Sequence, residues 1–69
     1  MVLALAAMEK ILKAAGAKRV SEDAKEALRE VLEAASRKIG TRATEIAEHA
    51  GRTTIKAEDI RLAARDFFV

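Results

Sequence analysis

The sequence predicts an all-α fold of three helices, short, long and short, completed by a second copy of the chain. Residues 21–49 hold no Pro and one Gly, Gly40, while Ala27, Leu28, Val31, Leu32, Ala35, Ile39, Ala43, Ile46 and Ala50 recur every three or four residues. That is the spacing of one uninterrupted amphipathic helix. Such a helix runs roughly 43 Å, whereas a compact globule of 69 residues has a radius of gyration of about 11 Å. The apolar stripe outruns its own chain, and a second copy is the simplest partner for it. Gly16 and Gly51 bracket the stretch at positions where helices stop.

The first helix is expected over about residues 2–15, with Leu5, Met8, Ile11, Leu12 and Ala15 on one face and Glu9, Lys10 and Lys13 away from it. Gly16 is its left-handed cap. After a short connector, Ser21 caps the long helix, about 21–49, and Glu22 and Asp23 occupy its first turn, where the helix dipole favours negative charge. Ala34, Ala35, Ser36 and Gly40 near the middle are small enough to let another helix cross closely. Gly51 ends the long helix, and the β-branched run Thr53, Thr54, Ile55 favours an extended strip. The last helix covers about 57–67, with Glu58 and Asp59 in its first turn and Ile60, Ala63, Ala64 and Phe67 facing inward. The strips at residues 18–20 and 53–55 are separated by the long rod, so they can pair only between two chains.

Sixty-nine residues fit one domain, residues 1–69, at a size that commonly needs oligomerisation, metal or disulfides. With no Cys, disulfides and thiolate metal sites are excluded. Residues 1–7 are apolar but far short of the roughly 20 residues of a membrane span, and they lack a basic leader, so a soluble, intracellular protein is expected. The net charge is +2, but its placement is uneven. Residues 1–20 carry Lys10, Lys13, Lys18 and Arg19 against Glu9, and residues 21–33 carry five acids against Lys25 and Arg29. A basic first helix and connector suit a polyanion. No nucleophile–base spacing, glycine-rich phosphate loop or metal-ligand cluster is present, so neither an enzyme, a cofactor nor a small-molecule substrate is expected.

The run Ala50-Gly51-Arg52-Thr53-Thr54-Ile55-Lys56-Ala57-Glu58-Asp59-Ile60, with Ala15-Gly16-Ala17-Lys18-Arg19-Val20-Ser21, closely resembles the archaeal histones, and the resemblance covers essentially the whole chain. It implies the histone fold: two chains clasped head to tail as an intertwined dimer, with loops of opposite chains paired. It also implies wrapping and compaction of double-stranded DNA with little sequence preference, in the cytoplasm on the chromosome, by homodimers that can stack into tetramers or larger assemblies. Carried position by position, the resemblance assigns DNA contact to Lys10, Lys13, Arg19, Thr54 and Lys56. These residue types suit phosphates: cations release counterions, a Thr hydroxyl hydrogen-bonds phosphate oxygens, and an Arg can enter a narrowed minor groove. Taken singly, each basic residue is better read as a solvated surface charge; taken as a set on matching positions, DNA contact is the better reading.

The same resemblance ties Arg52 to Asp59 as a structural clamp, and places Ile46, His49, Asp59 and Leu62 in a dimer–dimer patch. His49 has an equally good local reading, a cation at a helix C-terminus. Three departures from the family's pattern stand out. Residues 2–7 lack its usual prolines, Thr53 replaces a common Lys, and Glu48, with Glu45 beside it, replaces a common basic residue. They imply weaker DNA binding and altered stacking. Two other functions stay open: a protein–protein interaction module of the same fold that touches DNA little, and an engineered family member.

Overall fold

The computed structural model describes residues 3–68, except for the side chain of Phe68. Three helices follow one another: α1 (Leu5–Ala14), α2 (Glu22–His49) and α3 (Ala57–Phe68), with no strand among the described residues. The first helix starts at Leu5. The expected start at Val2 lies outside the described residues, but Leu3 and Ala4 are not helical. Ala4 has no side chain able to cap, and the first turn of α1 contains no acid, so nothing extends the helix toward the N-terminus.

The N-terminus of α2 is fixed by Ser21. Its Oγ accepts the Ala24 amide at 3.2 Å and donates to Asp23 Oδ1 at 2.6 Å, which satisfies one orphan amide and orients a first-turn carboxylate. Helices α1 and α2 end in the same way. Gly16 N–H donates to Lys13 O and Ala17 N–H to Leu12 O, both at 3.0 Å. Gly51 N–H donates to Glu48 O and Arg52 N–H to Ala47 O, both at 2.9 Å. Each pair is a Schellman motif, which needs a left-handed residue at its pivot. The pivots are Gly16 at φ +113° and Gly51 at φ +73°.

Two compact units share α2, Met1–Ala34 and Ala35–Val69. In the first, Met8 is the buried centre at 2% exposure, with Leu5, Leu12, Leu28 and Leu32 half-buried. In the second, the core is Ala43, Ala47 and Ala63, small side chains that let α2 and α3 approach closely. Both cores are thin. Ile11 is 50% exposed and Val31 63%, and Ile60 and Phe67, expected to face inward, are exposed as well. Asp59 and Ala63 occupy the inner line of α3 instead. The accessible surface is 5319 Å², where a folded monomer of 7.5 kDa exposes about 4,200 Å².

Gly40 sits inside α2, and a Cβ added there meets nothing within 4 Å. It lies about 100° round the helix from Ile39, off the apolar stripe. No helix among the described residues is long and apolar enough to cross a membrane.

Candidate functional site

The second connector is built on the end of α2. Because Gly51 turns left-handed, Arg52 is the residue whose amide closes the Schellman motif, and its side chain then crosses to α3. Nη1 donates to Asp59 Oδ2 at 2.8 Å and Nη2 to Asp59 Oδ1 at 2.9 Å, the two-pronged geometry that guanidinium and carboxylate share. Nη1 also donates to the Thr54 carbonyl at 3.1 Å, and Glu58 Oε1 stands 3.7 Å from Nη2. Asp59 Oδ2 accepts the Lys56 amide at 2.8 Å as well. This is half of a capping box, with an acid in the first turn reaching back to the cap residue's N–H.

Asp59 is 1% exposed, and three donors converge on it. The Arg52 hydrogen bonds foremost, then the Lys56 amide, outweigh the effect of burial and hold its carboxyl at about 2, below the ordinary 3.8. Arg52 is held more firmly charged by the same contacts. The guanidinium is thereby committed inside the chain, while the backbones of Thr54 and Lys56 are pinned and their side chains stay exposed.

On α1, Lys10 and Lys13 are exposed. Lys13 Nζ lies 3.4 Å from Glu9, and Glu9 also lies 3.5 Å from Lys25 on α2. Lys25 in turn bonds Glu22 at 2.8 Å. The field of Lys25, then that of Lys13, lowers the Glu9 pKa, and the Glu22 hydrogen bond raises that of Lys25. Arg19 is exposed just beyond the first Schellman motif. Among the described residues, Lys10, Arg19 and the Lys56 side chain form no ion pair.

At the far end of α2, His49 is exposed, Ile46 half-buried, and Leu62 of α3 is 41% exposed. A shallow concavity beside them is lined by Glu45, Glu48 and His49. Asp59 Oδ1 accepts a single hydrogen bond, which leaves it acceptor capacity. The four residues Arg52, Thr54, Lys56 and Asp59 are therefore one connected unit, whereas Lys10, Lys13 and Arg19 sit on the other half of the chain.

Three features of this chemistry escape a reading by motif: the Glu9–Lys25 bridge between helices, the weak contacts of Arg42 with Glu45 and Asp66 at 3.6 Å, and the hold of Arg52 on the Thr54 carbonyl. The Glu22–Lys25 spacing of three residues is the only trace of the first. The Arg42–Glu45 pair stands three residues apart, a helical spacing, whereas the Asp66 contact and the hold on Thr54 depend on packing that no spacing encodes.

A family model described as histone-like transcription factor (CBF/NF-Y) and archaeal histone matches residues 1–64. The chain belongs to this histone-fold family. It is 52% identical over 63 residues to a component of the archaeal histone HAN1 of Thermococcus zilligii, covering 91% of this chain and 94% of that one. It is 43% identical over 63 residues, with the same coverage, to probable archaeal histone 3 of Methanocaldococcus jannaschii. The family match spans the residues of both Schellman motifs and of the Arg52–Asp59 clamp.

Proposed function

We propose that the chain is a DNA-packaging histone: a homodimer in which the two halves of each chain complete one domain, binding and wrapping double-stranded DNA on the chromosome with little sequence preference. The observation that carries this reading is the clamp. Asp59 neutralises Arg52 and holds the Lys56 amide while Arg52 holds the Thr54 carbonyl, which leaves a hydroxyl and an ammonium outward on the clamped connector, the pairing that suits a phosphate. Lys10, Lys13 and Arg19 add the first helix and first connector. The first turn of α1 has neither a side-chain cap nor an acid, so among the described residues its Leu5 and Ala6 amides are open to an anion, while Ala7 N–H is taken by the Ala4 carbonyl.

Dimerisation is supported by the unpartnered apolar surface at Ile11, Val31 and Ile60. The test is duplex binding across a salt series. If a dimer neutralises about six phosphates, log K falls with log salt at a slope of roughly −5; a slope near zero overturns the reading.

Stacking of dimers through Ile46, His49, Asp59 and Leu62 is part of the same proposal. Glu45 and Glu48 favour a second reading, a module that pairs with another protein and touches DNA little. A like-charged rim opposes contact between identical patches. A purified chain that forms only a monodisperse homodimer and binds duplex DNA argues against that second reading.

A further inference from the structure

The middle of α2 carries a charged surface that neither connector uses. From Ala34 to Thr44 there is no acid, while Arg37, Lys38 and Arg42 are basic. Arg37, Lys38, Thr41 and Arg42 surround one open concavity, with Glu45 at its edge.

Three details set this surface apart from an ordinary solvated helix face. Arg37 and Lys38 are exposed and form no ion pair among the described residues, although α2 carries acids on either side. Arg42 is held only loosely, at 3.6 Å from both Glu45 and Asp66. The hydroxyl of Thr41 also makes no hydrogen bond among the described residues, whereas Thr44 on the same helix donates to the Gly40 carbonyl at 2.8 Å. That back-bond to the residue four earlier is the usual resting place of a mid-helix Thr. Two free cations, one weakly held cation and one free hydroxyl thus converge on one opening.

We infer that Arg37, Lys38, Thr41 and Arg42 form a second anion site that takes the phosphodiester backbone of another DNA duplex. Arg37 and Thr41 lie about 160° round α2 from Ile39, so a partner chain packed on the apolar stripe leaves them open, with Lys38 and Arg42 nearer its margin. Fifteen residues separate Arg37 from Arg52, roughly 22 Å along the helix. The phosphates held there are therefore others than those gripped by Thr54 and Lys56. The concavity is open and shallow, which suits a backbone strand better than an enclosed small anion. Glu33 and Glu45 bound the basic stretch along the helix, so it holds two or three phosphates at most and is strongly salt-sensitive. The inference goes beyond wrapping, since a dimer with such a site joins two duplexes.

The test is an amide-shift titration of the isotope-labelled chain with a short duplex, in the parent and in an Arg19→Gln, Lys56→Gln variant. Shifts at Arg37, Lys38, Thr41 and Arg42 are expected in both. With three phosphates held, the affinity at this site falls about 40-fold between 50 and 200 mM salt. In Arg37→Gln, Lys38→Gln these shifts are lost while those at Arg19 and Lys56 persist. No movement of residues 37–42 in the Arg19, Lys56 variant overturns the inference, as does movement that survives Arg37→Gln, Lys38→Gln. Shifts at the connectors alone overturn it and leave the packaging reading intact. Shifts at the α2 site alone do the reverse.

Discussion

Arg52 and Asp59 meet through two parallel hydrogen bonds of 2.8 and 2.9 Å, and the second of these residues is 1% exposed. The pair joins the end of α2 to the start of α3 and holds both ends of the connector between them. Replacing Asp59 with Asn keeps the shape but removes the charge and turns one acceptor into a donor facing Arg52. The expected outcome is a melting temperature lower by roughly 4–8 °C or more, together with weaker duplex binding as Thr54 and Lys56 lose their fixed backbone. Arg52→Lys retains the charge but not the fork, and its loss should be intermediate. Calorimetry and a binding isotherm on both variants check the order.

The same pair sets an acid limit. The Asp59 carboxyl is at about 2 in the folded chain against an ordinary 3.8. Its folded pKa is the lower one, so its contribution is complete above about pH 4 and is lost as pH falls through 2. Glu9, lowered by Lys25 and Lys13, acts in the same direction. Urea midpoints measured from pH 5 to pH 2 should fall for the parent and fall less for Asp59→Asn.

The length of α2, its Ser21 cap and its two glycine stops follow from periodicity and backbone chemistry, which are local. Which apolar residues belong to the chain's own core does not. Ile11, Ile60 and Phe67 lie on helix faces that look internal in sequence but are exposed here, because a 28-residue helix with short neighbours can cover only part of their surface. A hydrophobic pattern registers that a side chain needs burial, not which chain supplies it. The start of α1 departs from its apolar pattern for a similar reason: the run Val2–Ala7 reads as helix, yet it has no capping group to begin one before Leu5. The seven-residue separation of Arg52 and Asp59 has no helical meaning, so family resemblance alone points to their pairing, and neither route reaches the hold on Thr54.

The glycines separate conformational cost from steric cost. No atom lies within 4 Å of a Cβ at Gly16, Gly40 or Gly51, so only backbone dihedrals distinguish them. At Gly51, φ +73° is close to the left-handed well that Asn tolerates, so Gly51→Asn should cost little and Gly51→Ala about 1–2 kcal/mol. At Gly16, φ +113° lies outside that well, and Asn and Ala should both be harmful. Gly40→Ala should stabilise by roughly 0.5–1 kcal/mol. Denaturant melts of these variants test the ranking, and a destabilised Gly40→Ala would support the close crossing of a partner helix at that residue.

Leu32 tests whether fold and dimer are one event. It is half-buried within the chain and lies on the stripe of Leu28, Ala35 and Ile39, so a partner must supply the rest of its cover. Burying such a side chain contributes roughly 1.5–3 kcal/mol in each protomer, and a charge left unpaired in its place adds a penalty of its own. Leu32→Glu should therefore remove helicity and dimer together, with circular dichroism and light scattering changing in parallel and neither recovering at higher protein concentration. The surface control Glu26→Gln, on an exposed position of the same helix, should leave both unchanged. A folded, monomeric Leu32→Glu chain would mean that Met8, Ala43, Ala47 and Ala63 suffice as a core, and the dimer would then be an option of this chain rather than a condition of its fold.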